Sequence, residues 1–463
     1  MAVTEAVGTP EEPVLFGPDT FGLTAAQEEM WAAEQLQDDY SVTVAHYLDI
    51  VDDEGDGGHR FDPEVFRRGV IEGARLLETA YSRFVLVDGL PRQLVDPDVP
   101  FDVATVDLRS EPDPLAAAQE WMRADHTAPM DLTADPMAVS AFIRVADNRT
   151  FWYLRGHHIA FDGFAALTCL HEGVDRYNAA MSGREYEVAP RATLAEVTAD
   201  DERYRSGSRR EADGVYWAER VADLPAPVSL AREHSGRLHP DHAIAGRELS
   251  ADTRAALDAR AEQFGGSAAA LLASAFGAYL AVVTGRDDIV LTLPITGRVT
   301  AKIKRAGGMV ANMLPVRVDD VARHTPETLV AAVGAELTGC LRHQRYRFAD
   351  IARIADIDER RVTFGPIVNL VFFDKPLDLH GARVSYHIVS SGILEDLRVN
   401  LYQAGAGLPI RVDLHGNSTM YSQAEIAAHL DGFLDFLDEF LARPGDPIAA
   451  MGVAARRDGL TVR

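Results

Sequence analysis

Residues 156–164 read Gly-His-His-Ile-Ala-Phe-Asp-Gly-Phe, which sets two adjacent imidazoles, His157 and His158, just ahead of a carboxylate, Asp162, and a glycine, Gly163. An imidazole titrates near neutrality, so either histidine suits proton transfer. Successive side chains on a strand point to opposite faces, so both cannot enter one cavity if a strand runs through them. One is expected to face a site and the other to pack. That divergence also argues against a metal centre, since two strand-adjacent imidazoles converge poorly on one ion and no further ligand cluster sits nearby. Asp162 falls where it can hold a turn without touching substrate, and Gly163 permits a tight backbone path or the close approach of a ligand.

The elements around this stretch must place it. VSAFIRVADNRTFWYLRGHH predicts two strands joined by a turn at Asp147, Asn148 and Arg149. After Gly163 the period becomes helical through FAALTCLHEGVDRYNAAM, so the motif lies on a strand-turn-helix unit. Trp152, Tyr153 and Phe161 read either as core or as the lining of a substrate tunnel. Upstream, TAAQEEMWAAEQL predicts a helix with Thr24 as N-cap and Gln27 closing a capping box. A second helix spans Pro63 to Ala80, ahead of the strand SRFVLVDG. Thr198 to Gly214, polar and charge-rich, interrupts the regular elements and is the expected connection between two halves. Downstream come an Ala-rich helix, Ser267 to Val283, the strands DIVLTLP and MLPVRV, and the helix ETLVAAVGAELTGCLRHQ. Four more strands, in GPIVNLVFF, ARVSYHIV, LRVNLYQ and LPIRVDL, precede a closing amphipathic helix. The fold class is α/β, in two mixed halves divided as 1–190 and 191–463.

The 463 residues carry a formal charge of −26, which argues against a phosphate-backbone partner such as nucleic acid, since that binding needs a basic patch. The nearest basic cluster, RVTAKIKR from Arg298 to Arg305, reads as a solvated loop or a docking patch for an acidic partner. No apolar run is long enough to span a membrane, and the acidic N-terminus has no targeting pattern, so a cytoplasmic location is expected. Cys169 and Cys340, the only two cysteines, are expected to be buried thiols.

HHxxxDG in this context resembles the signature of nonribosomal peptide synthetase condensation domains, relatives of chloramphenicol acetyltransferase. Further stretches are similar to that family in the right order: TAAQEEMW at its opening helix, LPITGR ending at Arg298, GGMVANMLPVR at its GxFVNxLPxR block and HQRYRF at its HQxYPF block. VADNRTFWYLRGHHIAFDGF, LRHQRY and FGPIVNLVFFDKPLD look most like the condensation domain of enterobactin-synthase-type siderophore synthetases. One departure is LLETAYSRF, Leu76 to Phe84, where the family's early helix has RHExLRxxF; the arginine expected near Tyr81 is missing, and Arg298 remains as a partner for Asp162.

The resemblance implies two chloramphenicol-acetyltransferase-like lobes forming a V-shaped pseudo-dimer around a central tunnel. It implies an upstream donor carrier protein, peptidyl or aryl, and a downstream acceptor peptidyl carrier, each presenting its substrate on 4'-phosphopantetheine. An adjoining adenylation domain and no cofactor held by the domain itself are also implied. A thioester is already activated, so the catalyst holds two reactants together and manages one proton as the amine attacks. His158 is then the residue facing the tunnel, as base or as orienter of the amine. His157 and Asp162 are structural, with Asp162 paired to Arg298. The Gly163 amide is a candidate for oxyanion or pantetheine contact. Asn312 is either a pantetheine ligand on the tunnel floor or a strand-end residue, and Phe161 is a candidate wall. Dihydroxybenzoyl and serine are the donor and acceptor implied by the siderophore likeness. Rival readings are an epimerisation domain, an ester-forming or free-acceptor acyltransferase of the same superfamily, and a silent recruitment domain. FGGSA lacks the spacing of a carrier attachment site, and Ser267 reads as a helix N-cap. No carrier, adenylation or thioesterase domain is recognisable, which fits a free-standing enzyme or a domain cut from a larger chain.

Overall fold

The computed structural model describes residues 20–35, 40–52, 61–233, 237–358, 361–373, 375–405 and 408–452. The acidic N-terminus, where no targeting pattern is read, lies outside them. Among the described residues, no single helix is long and apolar enough to cross a membrane.

Two sheets organise the chain. In the first lobe the strand order is Ala382–Ser391, Thr43–Asp52, Arg149–His157, Ala138–Ala146, Val103–Asp107. The turn at Asp147 and Asn148 lies where the sequence sets it, and the two long strands pair antiparallel from Ala138↔Gly156 to Ala146↔Arg149. Helices Pro63–Leu77 and Gly163–Met181 cover one face, burying Phe66, Val70, Trp152, Leu170 and Tyr177 together. The early helix ends at Leu77 rather than Ala80 because Glu78 adopts a left-handed conformation (φ 63°), and a short 3-10 turn follows.

In the second lobe the order is His242–Glu248, Arg411–Asn417, Leu397–Gln403, Ile367–Phe372, Ile289–Ile295, Asn312–Val318. Its core packs helices Ala268–Thr284, Pro326–Arg342 and Gln423–Ala442 on one sheet face. Ser267 caps the Ala-rich helix by accepting from the Ala270 amide at 3.1 Å. Both cysteines are free and buried.

Two expectations change. Thr198 to Gly214 does not interrupt the regular elements: it falls in helices Leu194–Arg205 and Ser208–Arg220. Its charges include two i,i+4 pairs, Arg205 with Asp201 and Arg209 with Asp213, and Tyr204 donates to the buried Asp213 at 2.8 Å. A division at residue 190 also leaves out a crossing segment. Ala382–Ser391 leaves the second half and pairs along the whole of Thr43–Asp52 in the first sheet, so the lobes are laced by backbone hydrogen bonds.

Candidate active site

The motif strand ends at His157, and the two imidazoles diverge as alternation requires. His157 is fully buried. Its Nδ1 accepts from the Ile159 amide at 3.1 Å, which leaves the proton on Nε2, 3.0 Å from Glu34 Oε1. Glu34 also accepts from the Val42 amide at 2.7 Å, so one carboxylate joins the opening helix, the first strand and the motif. His157 thus holds the turn.

His158 is fixed through its backbone amide, which donates to Val42 O at 2.7 Å. Among the described residues no side-chain hydrogen bond or ion pair engages its ring; Nδ1 is buried without a partner of good geometry. Gly392, in left-handed conformation (φ 87°), leaves room beside it: a β-carbon there would lie 3.3 Å from the ring. Burial lowers the His158 pKa to about 4; His157 and Arg398 push the same way, while Asp162 and the residue's own carbonyl oppose. The ring is therefore neutral at physiological pH and able to accept a proton.

Asp162 caps helix Gly163–Met181. Its Oδ1 accepts from the Ala165 amide at 2.7 Å, and its Oδ2 from Arg298 Nη1 at 2.5 Å and from the Val310 and Ala311 amides at 2.9 Å each. Arg298 also donates to Gly308 O at 3.0 Å and lies over the Phe164 ring. Arg298 is thus not part of a solvated basic loop. Farther along, Lys302 pairs with Glu196 and Arg305 donates to backbone carbonyls.

Gly163 does not sit at positive φ, so the backbone conformation alone does not call for glycine there. What distinguishes it is space. A β-carbon there would meet nothing within 4 Å, and its amide heads a 19-residue helix, among the N–H groups with no intrahelical partner.

Phe161 and Asn312, the candidate substrate-binding residues, both make packing or backbone contacts beside the motif. Phe161 is fully buried, packed against Gly156, where a β-carbon would come 2.5 Å from its ring; it fills the turn. Asn312 spends its amide on the HQRYRF segment, donating to Gln344 O at 2.9 Å and Tyr346 O at 2.7 Å and accepting from Phe348 N at 2.9 Å. It is a loop clamp, the strand-end reading. Trp152 and Tyr153 are core.

Sequence reasoning missed Glu34 and the second task of Gln27, which besides its capping box donates to Ile159 O at 3.1 Å. Both lie more than a hundred residues from the motif, and no local pattern in the sequence marks either contact. Two surface grooves of about 350 and 380 Å³, one at Tyr216, Arg220 and Glu336 and the other at Tyr204, Arg209 and Arg345, contain none of the motif residues.

A family model described as "Condensation domain" matches residues 18–458. The "Dimodular nonribosomal peptide synthase" of Bacillus subtilis (strain 168) is 32% identical over 91% of this chain and 18% of its own length. "Enterobactin synthase component F" of Escherichia coli (strain K12) is 29% identical over 91% of this chain and 32% of its own. This chain thus spans less than a third of those two relatives. Among solved structures, the first condensation domain of the CDA synthetase superposes with TM-score 0.85 at 28% identity, over 94% of this chain and 99% of that one. The starter condensation domain of rhizomide synthetase, in complex with C8-CoA and Leu-SNAC, gives 0.83 at 27%, over 94% and 97%.

Proposed function

Because this chain belongs to the condensation-domain family, whose members are acyltransferases that form peptide bonds, we propose that it joins an acyl thioester on a donor carrier to the amine of an aminoacyl thioester on an acceptor carrier. His158 is the catalytic base. The amine nitrogen bonds to the thioester carbonyl carbon, the C–S bond breaks, and the proton lost by nitrogen passes through His158 to the departing sulfur. The observation that carries this reading is a neutral imidazole that, among the described residues, no side-chain hydrogen bond or ion pair engages, together with open space at the Gly163 amide of the same motif. The Gly163 N–H, at a helix N-terminus, is placed to favour negative charge on the carbonyl oxygen. Asp162, Arg298, His157 and Glu34 are positioning residues, and 4'-phosphopantetheine arrives with the carriers. An adjoining adenylation domain fits the multidomain relatives. A siderophore context, with an aryl donor, rests on the likeness to enterobactin synthase component F alone.

Small surrogates separate this from the acyltransferase with a free acceptor. Acyl-coenzyme A donors offered with aminoacyl-N-acetylcysteamine, a free amine or an alcohol should yield amide on the thioester-bound amino acid in preference. Ester formation, or equal use of free amines, would overturn the carrier-bound acceptor.

A further inference from the structure

Strand Leu397–Gln403 sends Leu397, Val399 and Leu401 into the core of the second lobe, and Arg398, Asn400 and Tyr402 to the opposite face. That face looks toward the first lobe: the Tyr402 ring packs edge-on against Tyr386 of the crossing strand, at 5.6 Å. Here the chain buries polarity that the reaction described above does not use. Arg398 is 4% exposed; its Nη2 donates to Ile393 O at 3.2 Å, and its Nη1 has no protein acceptor. His415, directly opposite Arg398 in the antiparallel register, is fully buried with neither ring nitrogen hydrogen-bonded to protein. Asn400 Nδ2 is a further buried donor without an acceptor, and His242, whose ring meets His415 edge-on at 5.7 Å, adds its Nε2.

Neighbouring carboxylates are committed elsewhere: Asp396 accepts from the Tyr421 hydroxyl. Glu395 pairs with Arg361 and accepts from Thr363, while Asp413 takes Arg411 and the Tyr402 hydroxyl. Among the described residues Arg398 makes no ion pair. A guanidinium buried without a counter-ion is costly, and an anionic group brought in from outside the chain would offset that cost. The face is also close to the base. Arg398 is tied to Ile393, whose neighbour Gly392 abuts the His158 ring, and its charge contributes to lowering the proton affinity of His158, His242 and His415.

We propose that Arg398, flanked by His415 and Asn400, is an anion subsite in the seam between the lobes, selecting a donor acyl group or acceptor side chain that bears a carboxylate or phenolic oxygen. The subsite rests on the condensation reading for its substrates, and names their chemistry. Arg398 binds the oxygen as a charge-assisted donor, while His415 and Asn400 supply further N–H groups.

Steady-state transfer with matched surrogates reads it. The donor arm compares succinyl- with butyryl-coenzyme A, and 2,3-dihydroxybenzoyl- with benzoyl-coenzyme A. The acceptor arm compares glutamyl- with norvalyl-N-acetylcysteamine. In one arm the oxygen-bearing partner should have at least a tenfold higher kcat/KM, which names the side served. Arg398→Met should bring that ratio close to one, with Arg398→Lys retaining part of it. No preference in either arm, or a preference that survives Arg398→Met, would overturn the subsite. Should Arg398→Met fail to fold, His415→Leu must shrink the same ratio, and an unchanged ratio counts against the proposal. If the unsubstituted protein transfers none of these pairs, the condensation reading is what fails. Calorimetric titration with glutarate and 2,3-dihydroxybenzoate then decides the subsite: binding lost in the variant upholds it, and no binding to the unsubstituted protein ends it.

Discussion

Asp162 Oδ2 and Arg298 Nη1 lie 2.5 Å apart with both side chains wholly shielded from solvent, one from the motif turn of the first lobe and the other from the loop after a strand of the second. With the Val310 and Ala311 amides on the same oxygen, this pair fixes the segment 307–311 against the catalytic turn, where Phe161 and Gly308 also form a parallel bridge.

Removing one partner of such a pair strands a buried charge. Asp162→Ala should cost about 3–5 kcal/mol of unfolding free energy. Asp162→Asn should cost less, since the amide oxygen still accepts from backbone N–H groups. Urea denaturation followed by intrinsic fluorescence checks this, and equal, negligible losses in both variants would contradict the clamp.

His157 and Glu34 should behave as one unit. The double variant Glu34→Gln, His157→Gln is expected to cost less than the sum of the singles, with a coupling of about 0.5–3 kcal/mol. Strict additivity in a double-mutant cycle would show that the 3.0 Å contact contributes nothing.

The two glycines that flank the motif turn should respond in opposite ways. At Gly156 a β-carbon strikes the Phe161 ring, so Gly156→Ala should destabilise by roughly 1–3 kcal/mol through overpacking. At Gly163 the space is open and φ is not positive, so Gly163→Ala should leave folding unchanged or raise stability by about 0.4–1 kcal/mol. Transfer should nevertheless fall, because the methyl occupies the approach to the helix amide. Full activity in Gly163→Ala would remove that amide from the mechanism.

Acid should act twice. His158 has a pKa of about 4, set first by burial, with His157 and Arg398 adding to it and Asp162 opposing. The acid limb of kcat/KM should therefore lie well below 6.5, near pH 4–5. Stability carries the same sign. His46 and His415, buried with pKa values of about 3, and His158 and His387, at about 4, bind fewer protons folded than unfolded. Their contribution is present above about pH 6.5 and is lost as pH falls toward 4, at up to about 1.4 kcal/mol per unit per histidine. A flat stability profile from pH 7 to 4.5 would contradict these burials.

The strand-turn-helix that carries the motif was legible because its periodicity changes sharply at Gly163, and the Thr24 and Gln27 capping box because it is local. The hidden parts are those made by distance. Nothing near Ala382–Ser391 announces that it leaves its own lobe to pair with Thr43–Asp52. Glu34 is 123 residues from His157. Thr198–Gly214 reads as a break in the regular elements because it is polar and charge-rich throughout, whereas the signal that starts its helix, the Thr193 and Glu196 capping box, lies just upstream of it. Arg398 and Asn400 were visible as polar positions alternating with Val399 and Leu401, the pattern of a strand with one wet face; that this face is buried between lobes depends on the packing. Phe161 and Asn312 sit in recognised motifs, yet motif membership does not distinguish a residue that shapes a site from one that touches substrate.

The most direct test is intact-protein mass spectrometry of this chain mixed with an acyl-loaded donor carrier and an aminoacyl-loaded acceptor carrier, beside His158→Ala. The account predicts that the acyl mass moves onto the acceptor carrier and that the substitution slows transfer by roughly 10²–10⁴-fold, the range for a general base. Transfer unchanged in His158→Ala, or none with carriers that demonstrably bind, would contradict it.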